Sequence, residues 1–91
     1  MAMVVLTFQS PLTTTDGKKY IVRACGEQRR HLWEGWVEFV PVDGSQTLVS
    51  PCETTQPNLT GLEYWATGLL PIYLEGAFER ALDHTLAPPC R

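Results

Sequence analysis

Cysteine and histidine side chains are the first candidates for chemistry in this chain of 91 residues, since a thiol with a nearby imidazole base can act as a nucleophile. Cys25 could pair with His31, and His84 could pair with Cys52 or Cys90. No local pattern brings any of these pairs into contact, and zinc sites normally show closer ligand pairs. The sequence therefore predicts no catalytic residue, metal site or cofactor, and it disfavours an enzyme.

The second candidate for a functional site is the polar stretch at residues 54–58, which precedes the pair Tyr64-Trp65. Its hydroxyls and amides are typical of side chains that cap a helix or bond the local backbone. They could also meet the two aromatic rings at a helix N-terminus, where free amides favour an anionic or polar ligand. Both interpretations stay open, and the second predicts a ligand-binding or catalytic pocket formed by Thr54, Thr55, Gln56, Asn58, Tyr64 and Trp65.

Composition limits the possible partners. With 44% apolar and 19% charged residues, the chain has the balance of one folded domain over residues 1–91. The formal net charge is −3, so nucleic acid is an unlikely partner. An RNA-binding surface would have to use a predicted hairpin that carries Lys18, Lys19, Arg23, Arg29 and Arg30.

Membrane and compartment signals are few. No apolar run approaches the roughly 20 residues that cross a bilayer, and the N-terminal residues lack the pattern of a signal peptide. Three cysteines at wide spacings fit neither a disulfide framework nor a paired metal site. These observations predict free thiols, no membrane and a cytoplasmic location.

Alternating and β-branched segments predict strands at about residues 3–8, 19–25, 31–42 and 47–50. Polar residues after Gly26 predict a loop, and Asp43-Gly44 predicts a hairpin turn. The first strand could be an edge strand or could pair with the same segment of a second chain.

After Pro57 the spacing of the apolar residues becomes that of a helix. Helices are predicted at about 60–67 and 71–85, with a frayed tail at 86–91. Thr60 with Glu63 fits a capping box, and Asn58 is a competing cap. Strands followed by helices predict an α+β fold, in which an antiparallel meander of three to four strands carries the C-terminal helices on one face.

The pleat of the longest predicted strand, at about residues 31–42, divides its aromatic residues between two faces. Trp33, Gly35, Val37 and Phe39 are predicted to lie under the helix, which turns Trp36 to the other face, among glutamates. Either the stem of Arg23 or a loop covers the ring, where Arg23 could add a cation–π contact, or the face is an interface with a protein partner or a second copy of the chain. That interface would have an apolar centre of Ile21, Trp36 and Val40 and a charged rim of Arg23, Glu34 and Glu38.

Over roughly residues 18–86, strands are followed by helix, and polar residues stand where the sheet leads into the helix. This order resembles the truncated double-stranded-RNA-binding domain of HicB-type antitoxins. The resemblance implies an α+β fold and an RNA-binding antitoxin as a third hypothesis, with no functional residue carried over. Thr-Thr-Gln-Pro-Asn at 54–58 and the split helix depart from that family. The string from Tyr64 to Ala77 is also similar to small bacterial proteins with no assigned activity.

Overall fold

The computed structural model describes residues 2–83. Within them, an antiparallel sheet of six strands is followed by two helices that pack on it, so the predicted α+β class is confirmed. The predicted tail at 86–91 lies outside the described residues, as do His84 and Cys90. The elements are β1 (Met3–Thr7), β2 (Leu12–Thr13), β3 (Lys19–Arg29), β4 (Leu32–Pro41), β5 (Leu48–Val49), β6 (Thr54–Gln56), α1 (Leu59–Thr67) and α2 (Pro71–Asp83).

A long hairpin of β3 and β4 forms the centre of the sheet, in register from Tyr20 opposite Pro41 to Arg29 opposite Leu32. The loop predicted after Gly26 is wrong, because β3 continues to Arg29 and the chain turns only at residues 30–31. The glycine has a packing role here. A Cβ atom on Gly26 would collide with the side chain of Leu62 on α1, so a residue that usually ends a strand instead makes room for a helix.

The sheet has the order β1, β3, β4, β5, with β2 also paired to β3 and β6 also paired to β4. The first strand lies at the edge of the sheet, as predicted, and its pairing with a second chain stays a prediction. An irregularity in its pairing falls between Val4 and Leu6. The sequence did not predict β2 and β6, which are two and three residues long.

The division of the central strands into two faces follows the predicted alternation. Val22, Val37 and Phe39 are buried in one cluster with Leu74 and other residues of α2, as expected for the face under the helix. Trp33, predicted on the same face, is only half-buried. Both helices pack on this inner face, so neither of them covers the opposite, outer face.

The cysteines differ from the prediction of free thiols. Cys25 is buried and free, whereas Cys52 is disulfide-bonded. None of the helices within residues 2–83 has the length and apolar character needed to cross a membrane.

Candidate functional site

The outer face is defined here as the side chains of β3 and β4 that point away from the helices. Three cross-strand pairs follow one another along it, because antiparallel pairing places residues of the two strands directly opposite each other. These pairs are Ile21 with Val40, Arg23 with Glu38, and Cys25 with Trp36. A fourth pair sets Glu27 opposite Glu34. All six residues predicted for an interface therefore lie on this one surface.

A hydrogen-bonded cluster occupies the middle of the outer face. Arg23 donates from Nε and Nη2 to Oε1 of Glu38, over 3.1 and 2.9 Å. The indole Nε1 of Trp36 donates to the other carboxylate oxygen, Oε2, over 3.1 Å. Glu38 therefore accepts from both neighbours, and the only polar atom of the Trp36 side chain has a partner.

This arrangement corrects the predicted layout of the surface. The Arg23–Glu38 pair was expected at a charged rim, but it lies between two pairs that are largely apolar. Glu34 was also expected at the rim. It is 6% exposed, and its Oε1 lies 3.6 Å from Nε of Arg29. The strand alternation placed these side chains on the right face, but it contained no information on their order across that face.

The cation–π contact that was considered between Arg23 and Trp36 is not found among the described residues. Within residues 2–83, cation–π contacts join Lys18 with Tyr20 and Arg80 with Tyr73, and none involves Trp36. Trp36 is half-buried, so part of its ring remains open to a partner.

Cys25 lies beside Trp36 and is 2% exposed. Burial, with a further contribution from the negative charge of Glu38, raises the pKa of its thiol to about 12. A thiol with so high a pKa is a poor nucleophile at neutral pH. His31 lies in the hairpin turn after Arg30, six residues along the chain from Cys25.

The residues of the second candidate site lie partly together and partly on different surfaces. Thr54 and Gln56 bond each other through their side chains, and Thr55 lies opposite Glu34 of the outer face. Asn58 caps α1 by accepting a hydrogen bond from the amide of Gly61 over 2.7 Å.

The two aromatic residues of that candidate site also diverge. Tyr64 is 82% exposed, whereas Trp65 packs against the core cluster. Thr54 and Trp65 both lie beside Gly35, and Gln56 and Asn58 both lie beside Gly61. The structure therefore brings four of the six predicted residues close to the junction of β6 and α1, but Thr55 and Tyr64 lie apart from them.

A buried carboxylate that the sequence did not reveal connects the sheet to α2. Glu53 accepts a hydrogen bond from the Tyr73 hydroxyl over 2.6 Å and two from Arg80 over 2.7 and 3.0 Å. Burial opposes ionisation of Glu53, but the bonds from Arg80 and Tyr73 outweigh it and lower the pKa. Burial and the bond to Glu53 raise the pKa of Tyr73 to about 12. The only sequence signal is that Tyr73 and Arg80 lie seven residues, or two turns, apart on one helix.

Most of the cations of the predicted basic hairpin lie beside acidic partners. Arg23 binds Glu38 at 2.9 Å, and Nζ of Lys18 lies 3.8 Å from Asp43. Arg29 lies beside Glu34, as described above. The positive charges are thus largely compensated within the chain, which weakens the field available to a phosphate backbone.

Within the described part of the chain, no three histidine, cysteine, aspartate or glutamate side chains form a group able to hold a metal ion. Comparison of the chain with protein-family models, with curated proteins and with solved structures finds no match. The resemblance to HicB-type antitoxins therefore stays an expectation.

Proposed function

We propose that this protein is a small interaction module that self-associates through the outer face of its sheet. One observation carries the proposal: both helices pack on the inner face, which leaves the surface around Trp36 uncovered by either helix. Ile21 is 39% exposed, and Trp36 and Val40 are half-buried. Interfaces favour apolar and aromatic centres of this kind.

The internal pairing of the charges supports burial of this face. A carboxylate that enters an interface without partners costs several kcal/mol, on the order of the desolvation penalty of a buried ion. Glu38 already accepts bonds from Arg23 and Trp36. A partner could therefore cover these groups without having to supply new partners for the carboxylate.

A second copy of the chain is the partner that this charge pattern fits best. Acidic and basic residues alternate on the face, with Arg23 and Arg29 among Glu27, Glu34 and Glu38, so the face has no strong charge of one sign. A two-fold axis can place an acidic residue of one copy against a basic residue of the other.

The free edge at β1 extends the same surface. Val4 is 47% exposed and lies opposite Cys25 of the outer face. Its apolar side chain therefore continues the surface to the end of the sheet. There the outer edge of β1, which has no neighbouring strand within residues 2–83, can add to another chain.

Size-exclusion chromatography with light scattering, over a range of protein concentrations, tests the proposal. The wild-type chain should show twice the monomer mass, and Trp36→Glu and Ile21→Lys should each be monomeric. Ile72→Glu is the matched control, because Ile72 is 76% exposed on α2 and lies away from the outer face. A monomeric wild type, or outer-face variants that associate as well as the control, would refute the proposal. Circular dichroism checks that each variant is folded.

Two other functions are less well supported. A ligand pocket at residues 54–58 would need Tyr64 and Trp65 on one surface, and RNA binding would need Lys18 and Arg23 free of acidic neighbours. The cytoplasmic location stays a prediction from the sequence.

A further inference from the structure

A groove of about 1050 Å³ lies on the helix side of the sheet, between residues 6–15 and α2. α2 packs on β4 and β5, and α1 packs on β1, β4 and β6. The groove lies where residues 6–15 face α2. Phe78 stands at the boundary between core and groove, since its ring makes edge contacts with Tyr20 and Phe39 in the core. The apolar lining comes chiefly from Leu6, Phe8, Leu12, Leu74, Phe78 and Leu82.

The helix side of the groove also carries two negative charges. Glu75 and Glu79 are exposed, lie one turn apart on α2 and line the groove together with Leu82, which is 56% exposed. Neither carboxylate has a hydrogen bond or an ion pair within residues 2–83, and no lysine or arginine from these residues lines the groove. An apolar floor therefore lies beside unpaired negative charge.

We propose that this groove binds a peptide segment of a partner protein in which large apolar side chains stand next to lysine or arginine. The apolar side chains would enter the groove, and the cations would reach Glu75 and Glu79 at its side. Charge complementarity of this kind selects partners and speeds their association. The same acidic side chains disfavour an anionic lipid surface or a nucleic acid, both of which require basic residues.

A peptide fits the size and the polar wall better than a small molecule does. Ligand pockets usually enclose about 300–1000 Å³, so this open groove, at about 1050 Å³, is slightly larger than that range. The wall opposite α2 includes the polar residues Gln9, Ser10 and 13–15. The side chains of Gln9, Ser10, Thr13 and Thr15 can accept hydrogen bonds from an extended peptide backbone and donate hydrogen bonds to it.

The groove and the outer face lie on opposite sides of the sheet, so the two proposals can fail separately. A peptide bound in the groove should bind equally well to the wild type and to Trp36→Glu. Self-association through the outer face should likewise be unchanged by charge reversal at Glu75 and Glu79.

Selection from a displayed library of random peptides on the immobilised full chain tests the groove. We expect the selected peptides to combine large apolar residues with lysine or arginine. In fluorescence anisotropy, the Kd of a selected peptide should rise about tenfold or more in the double variant Glu75→Lys with Glu79→Lys, and also at high salt. Leu82→Ser should weaken binding through the apolar part. Glu63→Lys, on α1 and outside the groove, is the matched control and should leave the Kd unchanged.

Several results would overturn the proposal. They are the selection of no peptide, the selection of peptides without basic residues, and equal binding to the double variant and to the control. Loss of binding in Trp36→Glu with full binding in the groove variants would place the site on the outer face. Self-association that is lost in the groove variants would make a second copy, and not a basic peptide, the occupant.

Discussion

Arg80 on α2 binds the carboxylate of Glu53, which lies 27 residues earlier in the chain, between β5 and β6. The two bonds, 3.0 Å from Nε and 2.7 Å from Nη2, engage both carboxylate oxygens. The Glu53 side chain is 5% exposed and that of Arg80 is 44% exposed. This contact connects the segment between two edge strands to the helix that covers the core.

Replacement of Arg80 by alanine should destabilise the fold. It removes both bonds and leaves a largely buried carboxylate without its cation. Because the arginine is partly exposed, solvent screens the pair, and we expect a loss of about 1–2 kcal/mol in the free energy of unfolding. Urea denaturation measures it. Glu79→Ala, at an exposed neighbouring position without a partner among the described residues, is the control, and equal effects of the two changes would contradict the expectation.

The stabilisation from Glu53 should depend on pH. Its pKa in the folded protein is below the ordinary value of 4.5, so its contribution is fully present above about pH 4.5 and is lost as the pH falls through the folded pKa. Glu53→Gln cannot titrate at this position. The difference in unfolding free energy between wild type and Glu53→Gln should therefore shrink from about pH 6 to about pH 3. A difference that stays constant or grows toward acid would contradict this sign.

Cys25 should resist alkylation in the folded protein. With a pKa of about 12, the thiolate is about one part in ten thousand at pH 8, and the residue is 2% exposed. Iodoacetamide labelling followed by peptide mass mapping should find Cys25 unmodified under native conditions and modified in urea. Labelling at the same rate in both conditions would show that the thiol is accessible in the native state.

The sequence predicted which side chains share a face more accurately than it predicted where strands end. Alternation placed Val37 and Phe39 in the core and Trp36 outside it, because a one-residue slip would expose the whole apolar set. The end of β3 was missed, because Gly26 usually signals a break and its packing against Leu62 involves a helix 36 residues away in the sequence. The strand β6 was missed because three residues are too short for a periodic signal.

For the candidate surfaces too, the sequence indicated what lies on neighbouring strands and did not indicate what distant segments form together. The six outer-face residues could be found because they belong to two neighbouring strands with one period. The groove could not, since Leu6, Leu12 and Leu82 come from distant segments and meet only after α2 has docked. The Glu53 contact was hidden for the same reason, as no local pattern joins it to Tyr73 or Arg80.

Replacement of Asn58 by alanine should cost about 1 kcal/mol, the usual price of a lost N-cap. Its Oδ1 accepts a bond from the amide of Gly61 over 2.7 Å, whereas Thr60 makes no side-chain hydrogen bond among the described residues. Thr60→Ala is therefore the control and should be close to neutral. Thermal unfolding followed by circular dichroism compares the two, and a larger effect at Thr60 would favour the capping box.

Gly35→Ala should be among the most destabilising small changes in the sheet. An added Cβ would lie 2.7 Å from Cδ1 of Leu62 and 2.9 Å from both Cγ2 of Thr54 and Cζ3 of Trp65. All three neighbours would have to move, so we expect a cost of about 1–3 kcal/mol, measured by urea denaturation. At Gly68 the nearest atom lies 3.6 Å away, so the control Gly68→Ala should cost less.

A double-mutant cycle separates this collision from a general strand effect. Leu62→Ala removes the nearest of the three contacts, so Gly35→Ala should cost less in that background than in the wild type. If the collision with Leu62 is the cause, the two changes are coupled. Strict additivity would show that the helix does not need the space at Gly35, and the packing of α1 on β4 would then require a different explanation.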